Sequence, residues 1–433
     1  MPFPILDLPP ELVGIICSEL DDTTLMNVRR TSRTLKVHSS TAFGTRFFNH
    51  VVAILHPVSL TILLEIARHH ELSKFVNTVT IGGERIGGVI NMSIKEDEER
   101  LKDLQTSMER SGMDRLILDE VFRELQNLEI VRMDNSSFLP EFAQVDAVRC
   151  GKFHLFGESS ASYNVASNER NLNREYSLVL DALVKAGKHE KVKLYFVFCA
   201  EASPTPNDSF DLDSEHWRKS FRSNVQYVRF YGGHNSEWGK SLLTAPNLKQ
   251  LEVYGRSEIF DFSHPSAGLF HWPNLQKLAL NDTRVIPKSF LAFLEKHSPT
   301  MTHLHLQAIT LLQGTWTEPL QIVEGMPKLH YVFLNVLWER KTPSMSEGSF
   351  SRFYDDGDLH GHLFHMYGHT TISLVVRVLL SDLRTTRVRP KGVSGFGTYY
   401  EVDFRKARAA LAGKIVYCDG EWKSKDDEDE SVT

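Results

Sequence analysis

Between Val225 and Asn335 one pattern recurs five times, and it restricts the possible fold more than any other feature of the chain. VQYVRFY starts at Val225, LKQLEVY at Leu248, LQKLALN at Leu275, MTHLHLQ at Met301 and LHYVFLN at Leu329. Each reads apolar-x-x-apolar-x-apolar, and the starts lie 23, 27, 26 and 28 residues apart. LEIVRMD from Leu128 has the same form, and VKLYFVF from Val192 is a distorted version. Pro246, Pro273 and Pro327 precede three of the copies, as expected where a loop leads into a strand. Between copies, Pro287–His297 reads as a short helix with Phe290, Leu291 and Leu294 turned inward. One strand and one helix cannot bury their own apolar sides. Stacked copies can, with a parallel sheet on the inside of a curve and helices outside.

The pattern and its period resemble the core of leucine-rich repeats. The expected fold class is α/β, with an irregular repeat solenoid over residues 121–340. An ordinary α/β domain whose parallel strands share the pattern by chance is the alternative. In a solenoid the positions between the apolar ones face the concave surface. Here they form an aromatic-rich stripe, and Tyr and Arg dominate protein–protein hot spots. Tyr227, Arg229, Tyr231, Glu252, Tyr254, Lys277, His303, His305, Tyr331 and Phe333 are therefore the candidate residues for binding a client protein. The plainer reading is a half-exposed strand face, or one covered by the C-terminal segment.

The amino-terminal fifty residues have a different character. In LPPELVGIICSEL, Leu8 to Leu20, Pro9 and Pro10 fit a first helical turn. Glu11 puts a carboxylate at the positive end of the helix dipole. Leu12, Ile15, Ile16 and Leu20 share one face, and Val13 and Cys17 form a second apolar line. A short helix with two apolar sides has one for its own core and one to spare, which points to a partner. Asp22 or Thr23 can cap a second helix, built on Leu25 and Val28 with Arg29, Arg30 and Arg33 outside. A third segment from Ser32 contains Leu35, His38, Phe43, Phe47 and Phe48. Three short helices hold little core for independent stability.

Leu8, Pro9, Glu11, Leu12, Ile15, Leu20, Leu25, Val28, Arg30, Ser32 and Leu35 resemble the F-box in order and spacing. Thr31 stands where that family usually has an apolar residue, and Phe47 and Phe48 replace a frequent closing Trp. His56 to Gly88 resembles the segment after the F-box in filamentous-fungal F-box proteins. The resemblance implies a three-helix module, residues 1–50, docked on the Skp-type adaptor of a cullin–RING ubiquitin ligase. The implied adaptor-binding set is Leu8, Pro9, Leu12, Ile15, Ile16, Leu25 and Val28, with Leu25 and Val28 also holding the module together. The chain would then recruit an unknown client for ubiquitination and form no covalent bond itself. An interaction scaffold outside any ligase is the second reading.

Composition narrows the partners. A formal net charge of −6 leaves no basic surplus for nucleic acid or anionic membranes. Cys17, Cys150, Cys199 and Cys418 make no CxxC pair, so neither a zinc ribbon nor a disulfide framework is expected. The start lacks a basic n-region and a long apolar core, which argues against a secretory signal and for the cytoplasm or nucleus. No GxSxG elbow occurs, and no catalytic residue, metal or cofactor is expected. HGHLFHMYGH, with His360, His362, His365 and His369, is the one enzyme-like cluster. It supports a third reading, a metal-dependent hydrolase, against solvated or core histidines.

The remaining segments are read more coarsely. Residues 51–120 are expected to be a helical linker region, with a helix over Leu60–Arg68. In it Val76–Ile81 alternates like a strand that exposes Asn77, Thr78 and Thr80. Gly82–Gly88 is a loop without the phosphate-binding spacing. Ile94–Met108 is a charged helix with a solvated face. Residues 157–175 and 201–214 read as surface loops. Residues 341–420 are expected to cap the array, with strands at Thr398–Phe404 and Lys414–Cys418 and a helical turn at Lys406–Ala412. Residues 421–433 read as an acidic disordered tail.

Overall fold

A computed structural model describes residues 5–83, 95–134, 148–151, 172–199, 217, 221–232, 242–255, 258–264 and 268–340. Further on it describes 364–367, 372–373, 376–377, 380, 389–394, 397–401, 415–418 and 421–424. The fold is α/β with a parallel sheet. Two compact units divide the chain, one of residues 1–196 with 202–211, the other of 197–201 with 212–433.

The first unit opens with four short helices, α1 (Pro10–Glu19), α2 (Asp22–Thr31), α3 (Arg33–His38) and α4 (Ser40–Phe48). The segment expected to be a single third helix breaks at Ser39. Pro9 and Pro10 start α1, with Pro9 O accepting from the Leu12 and Val13 N–H groups at 3.0 and 3.2 Å. The cap of α2 is Asp21, one residue before the expected positions. Its carboxylate accepts from Thr24 N–H at 2.9 Å and from Thr24 Oγ1 at 2.6 Å. Arg29 turns inward rather than outward: its guanidinium lies 3.8 Å from the Phe43 ring centroid and donates to Lys36 O at 2.9 Å. Arg46 ties α4 to the end of α1, donating to Ser18 O at 2.6 Å and to Leu20 O.

A parallel sheet follows, in the order β4 (Val148–Arg149), β1 (His50–Ile54), β2 (Thr78–Gly82), β3 (Ile130–Asp134) and β5, which begins at Lys193. Thus 51–120, expected to be a helical linker region with one strand at Val76–Ile81, supplies β2 at that place and most of the unexpected β1. Its helices are α5 (Pro57–Arg68), α6 (Lys95–Ser111) and α7 (Met113–Glu124). Leu60, Leu63, Ile66 and Ala67 bury one face of α5. Helix α8 (Leu172–Lys185) begins inside the stretch expected to be a loop up to residue 175. Thr80, expected to be exposed, is buried, because central parallel strands are covered on both faces. Each strand hooks the next at its start: Thr78 N–H to Asn49 O at 3.0 Å, Glu129 N–H to Asn77 O at 2.9 Å, Lys193 N–H to Glu129 O at 2.8 Å.

The second unit contains the five-fold pattern, and each copy is a strand. These are β6 (Val225–Tyr231), β7 (Gln250–Tyr254), β8 (Lys277–Val285), β9 (His303–Leu311) and β10 (Tyr331–Arg340). They run parallel in one unbroken register: Tyr227, Gln250, Lys277, His303 and Tyr331 form a row, as do Val228, Leu251, Leu278, Leu304 and Val332. The leading apolar residues Val225, Leu248, Leu275, Met301 and Leu329 are all fully buried. Helices α9 (Pro287–His297) and α10 (Thr317–Glu324) fill the connections. In α9 the inward residues are Phe290, Phe293 and Leu294, Phe293 taking the place expected of Leu291. Trp272 locks two copies together, donating from its ring to Leu243 O at 2.9 Å and from its backbone to His297 Nε2 at 3.0 Å.

Past β10 the parallel order ends. β11 (Phe364–Tyr367) lies antiparallel to β10, and β12 (Arg389–Ser394) pairs with β13 (Gly397–Glu401), which also pairs with β10. β14 (Ile415–Cys418) forms an antiparallel pair with β15 (Glu421–Ser424). The first four residues of the expected disordered tail are therefore a strand. Residues 84–94, 157–171, 201–214, 402–414 and 425–433, which hold other expected loops and turns, lie outside the described residues.

Candidate docking surfaces

Helix α1 is apolar on two sides, and the structure assigns them different roles. Val13 and Cys17 join Leu25 and Leu35 in a small buried core, against which Ile5, Leu8, Leu20, Val28, Ala42, Phe43 and Phe47 pack. Leu12, Ile15 and Ile16 are turned to solvent, 46%, 60% and 38% exposed. Of the residues expected to meet an adaptor, Pro9 is also exposed, and Leu8 and Val28 are half-buried. Leu25 is the exception. With no exposure at all it cannot contact a partner and serves the core alone. Leu6, Met26 and Val37 add exposed apolar surface to the same module, unforeseen because single aliphatics on short polar helices form no periodic signal.

The stripe in the second unit is more closed than its alternation implies. Tyr227, Glu252 and Phe333 are buried, Lys277 is exposed, and Arg229, Tyr231, Tyr254, His303, His305 and Tyr331 lie between. Register explains much of this, since large side chains in one row lean on each other. Arg229 Nε lies 2.6 Å from Glu252 Oε2, and Gln250 Nε2 donates to Glu252 Oε1 at 2.5 Å. Tyr231 and Tyr254 stack with centroids 4.7 Å apart, and the Arg229 guanidinium is 5.7–6.0 Å from the rings of Tyr227, Tyr231 and Tyr254. Burial, and then the Glu252 charge, push the Tyr254 hydroxyl above its ordinary value.

On the next strands the stripe changes. Ala279 stands in register between Glu252 and His305, so a small residue separates two large ones. His305 stacks on Phe333 at 4.1 Å. Burial lowers the pKa of His303, and the charges of Lys277 and His330 add to the effect. These are groups suited to holding a peptide by stacking, hydrogen bonds and charge.

Other candidates resolve differently. Among the described residues, no group of three His, Cys, Asp or Glu is placed to hold a metal. His360, His362 and His369 lie outside the described residues; His365 lies in β11 and its side chain is not described. Cys17 and Cys150 are free and buried, and burial pushes the Cys150 thiol up to about 12, far from a reactive thiolate. No helix among the described residues is long and apolar enough to cross a membrane.

One polar cluster was missed in the sequence. His50 Nε2 lies 2.7 Å from Thr80 Oγ1, and Arg132 Nη2 lies 3.4 Å from Asp134 Oδ2, all on one face of the first unit's sheet. Burial, then Arg132 and Arg149, lower the His50 pKa to about 4. Alternation in Ile130–Asp134 put Arg132 and Asp134 on one side, but only the register of β1, β2 and β3 joins them to Thr80 and His50.

No family model matches the chain, and a search of curated proteins finds no matching relative.

Proposed function

We propose that the chain is the substrate-recognition subunit of an SCF-type cullin–RING ubiquitin ligase, acting in the cytoplasm or nucleus. On this reading α1–α4 are an F-box that docks a Skp-type adaptor, and the ladder β6–β10 is a leucine-rich-repeat-like array that holds a client. The chain performs no chemistry itself. It raises the effective concentration of client lysines near the charged conjugating enzyme.

The observation that carries this reading is the division of labour in α1. Its core line, Val13 and Cys17, is complete within the module, while Leu12, Ile15 and Ile16 stay in water. Burying what remains exposed of these three side chains on a partner contributes roughly 0.5–2 kcal/mol each before association costs. Co-expression with a Skp-type adaptor tests it. The unmodified chain co-purifies with the adaptor, and Leu12→Asp/Ile15→Asp abolishes capture while thermal unfolding of the chain is unchanged. Equal capture of both would rule out α1 as the hook. Client capture that survives Arg229→Ala/Tyr254→Ala would remove the stripe from the proposal.

A further inference from the structure

The edge of the second unit where its parallel strands begin is basic. The segments leading onto it, 244–249, 270–277, 298–303 and 325–331, contain Lys249, His271, Lys277, His303, Lys328 and His330, and no aspartate or glutamate. All but His303 are exposed. Lys277 and His303 are direct neighbours in register. Two nearby carboxylates are already engaged, Glu252 by Arg229 and Glu324 by Arg377 at 2.5 Å, and the exposed Glu295, on the last turn of α9, stands next to Lys296. No described acidic side chain forms an ion pair with Lys249, Lys277 or Lys328. A row of lysine and histidine side chains beside half-buried strands, its lysines in no ion pair with a described carboxylate, suits an acidic occupant.

The chain contains one, and the topology delivers it to this edge. Asp426, Asp427, Glu428, Asp429 and Glu430 follow directly on β15, outside the described residues. β15 is parallel to β11, with Trp422 beside Met366. β11 is antiparallel to β10, with Met366 beside Val332 and Tyr367 beside Tyr331. The chain past Ser424 therefore leaves at the level of His330, on the strand-start side. With strands ~4.8 Å apart, β10 lies ~10 Å from β15, β9 ~14 Å and β8 ~19 Å. Six residues can span up to ~20 Å, long enough for an acidic run to meet the basic side chains of all three strands.

We propose that Asp426–Glu430 docks on this basic edge of its own unit, against Lys277, His303, Lys328 and His330, and so occupies one border of the Tyr227–Phe333 stripe. The docking stands independently of the ligase reading; only its consequence, that a client competes with the acidic run, rests on it.

Zero-length carbodiimide cross-linking of the full chain tests the contact. Mass spectrometry of the monomer should show Lys277 and Lys328 joined to residues 426–430. The links should fade at ~1 M salt, where the screening length falls to about 3 Å. A second measurement uses a labelled peptide of residues 422–433. It should bind a chain with all five acids changed to Asn or Gln about fivefold or more tighter than the unmodified chain, whose own run fills the edge. Lys277→Ala/Lys328→Ala in the neutralised chain should weaken the peptide by about tenfold. Cross-links confined to dimers would assign the edge to a second copy and overturn the proposal. So would links scattered over lysines far from the edge, or equal peptide binding by neutralised and unmodified chains. None of these readouts involves an adaptor, so failure of the α1 variants leaves them interpretable.

Discussion

Gly232, Asp282 and Ala308 hold the same place in three copies of the second unit, one residue past the row that joins Tyr231 to Tyr254 and Asn281 to Gln307. All three are left-handed, with φ of 74°, 47° and 53°. The kink recurs in three of the five copies, but Gly255, which holds the same place after β7, lacks it, so a glycine in the sequence does not mark it. For a residue with a Cβ this conformation costs roughly 1–2 kcal/mol, against roughly 0.5–1 for the extra entropy that glycine loses on folding. Gly232→Ala should therefore lower stability by about 1 kcal/mol, and Ala308→Gly should raise it by up to about 1 kcal/mol, in urea unfolding. A destabilised Ala308→Gly would show that the methyl matters more than the angle. His297 is a second point of leverage. Its Nδ1–H donates to Phe293 O at 2.8 Å and its Nε2 accepts from Trp272 N–H, so the folded state needs a neutral ring. Burial lowers its pKa from 6.5 to about 4. Above pH 6.5 both folded and unfolded rings are neutral and the stability contributed is complete. Between 6.5 and 4 the unfolded ring takes up a proton that the folded ring refuses, so stability falls with pH. The loss should be on the order of 2–3 kcal/mol over that window, and His297→Gln should flatten the profile. His50, also lowered to about 4, keeps part of the slope in that variant.

At the scale of elements, α1 shows what a sequence can and cannot reveal. Its two apolar lines are legible from spacing alone. Which line is internal depends on α2–α4, since Leu25 on α2 and Leu35 on α3 must fold back to meet Val13 and Cys17. That is why Leu25, a core residue, sits among the expected adaptor contacts. Leu25→Ala should cost about 2–5 kcal/mol, whereas Ile15→Ala should stay within about 0.5 kcal/mol by thermal or urea unfolding. Comparable losses would mean that the outer line is internal as well. The repeat strands were legible for a related reason. Three apolar residues at fixed offsets mark the buried side of every copy, and the register then follows. β1 escaped the same reading because Val51 to Leu55 is a continuous buried run without alternation, indistinguishable by period from a helix segment. The partial closure of the stripe was equally hidden, because the pairing of Arg229 with Glu252 is 23 residues away in sequence.

For the molecule as a whole, the ladder determines how a local defect spreads. In the second unit Leu280, Leu306 and Leu334 share one buried row, each flanked by the next. In a stacked array each copy is stabilised mainly by its immediate neighbours, so stability is close to a sum of copies and interfaces. An ordinary cooperative core instead loses stability everywhere at once. Leu306→Ala removes a buried side chain from β9 at a cost of about 2–5 kcal/mol. If coupling is to nearest neighbours, amide hydrogen exchange should quicken most in β9, next in β8 and β10, and least in β6. The backbone bonds that join the copies, Gln276 N–H to Lys249 O at 2.8 Å and Thr302 N–H to Gln276 O at 2.7 Å, report the decay strand by strand. A uniform rise from β6 to β10 would show a single cooperative body, and the repeat would then describe its sequence without describing its energetics.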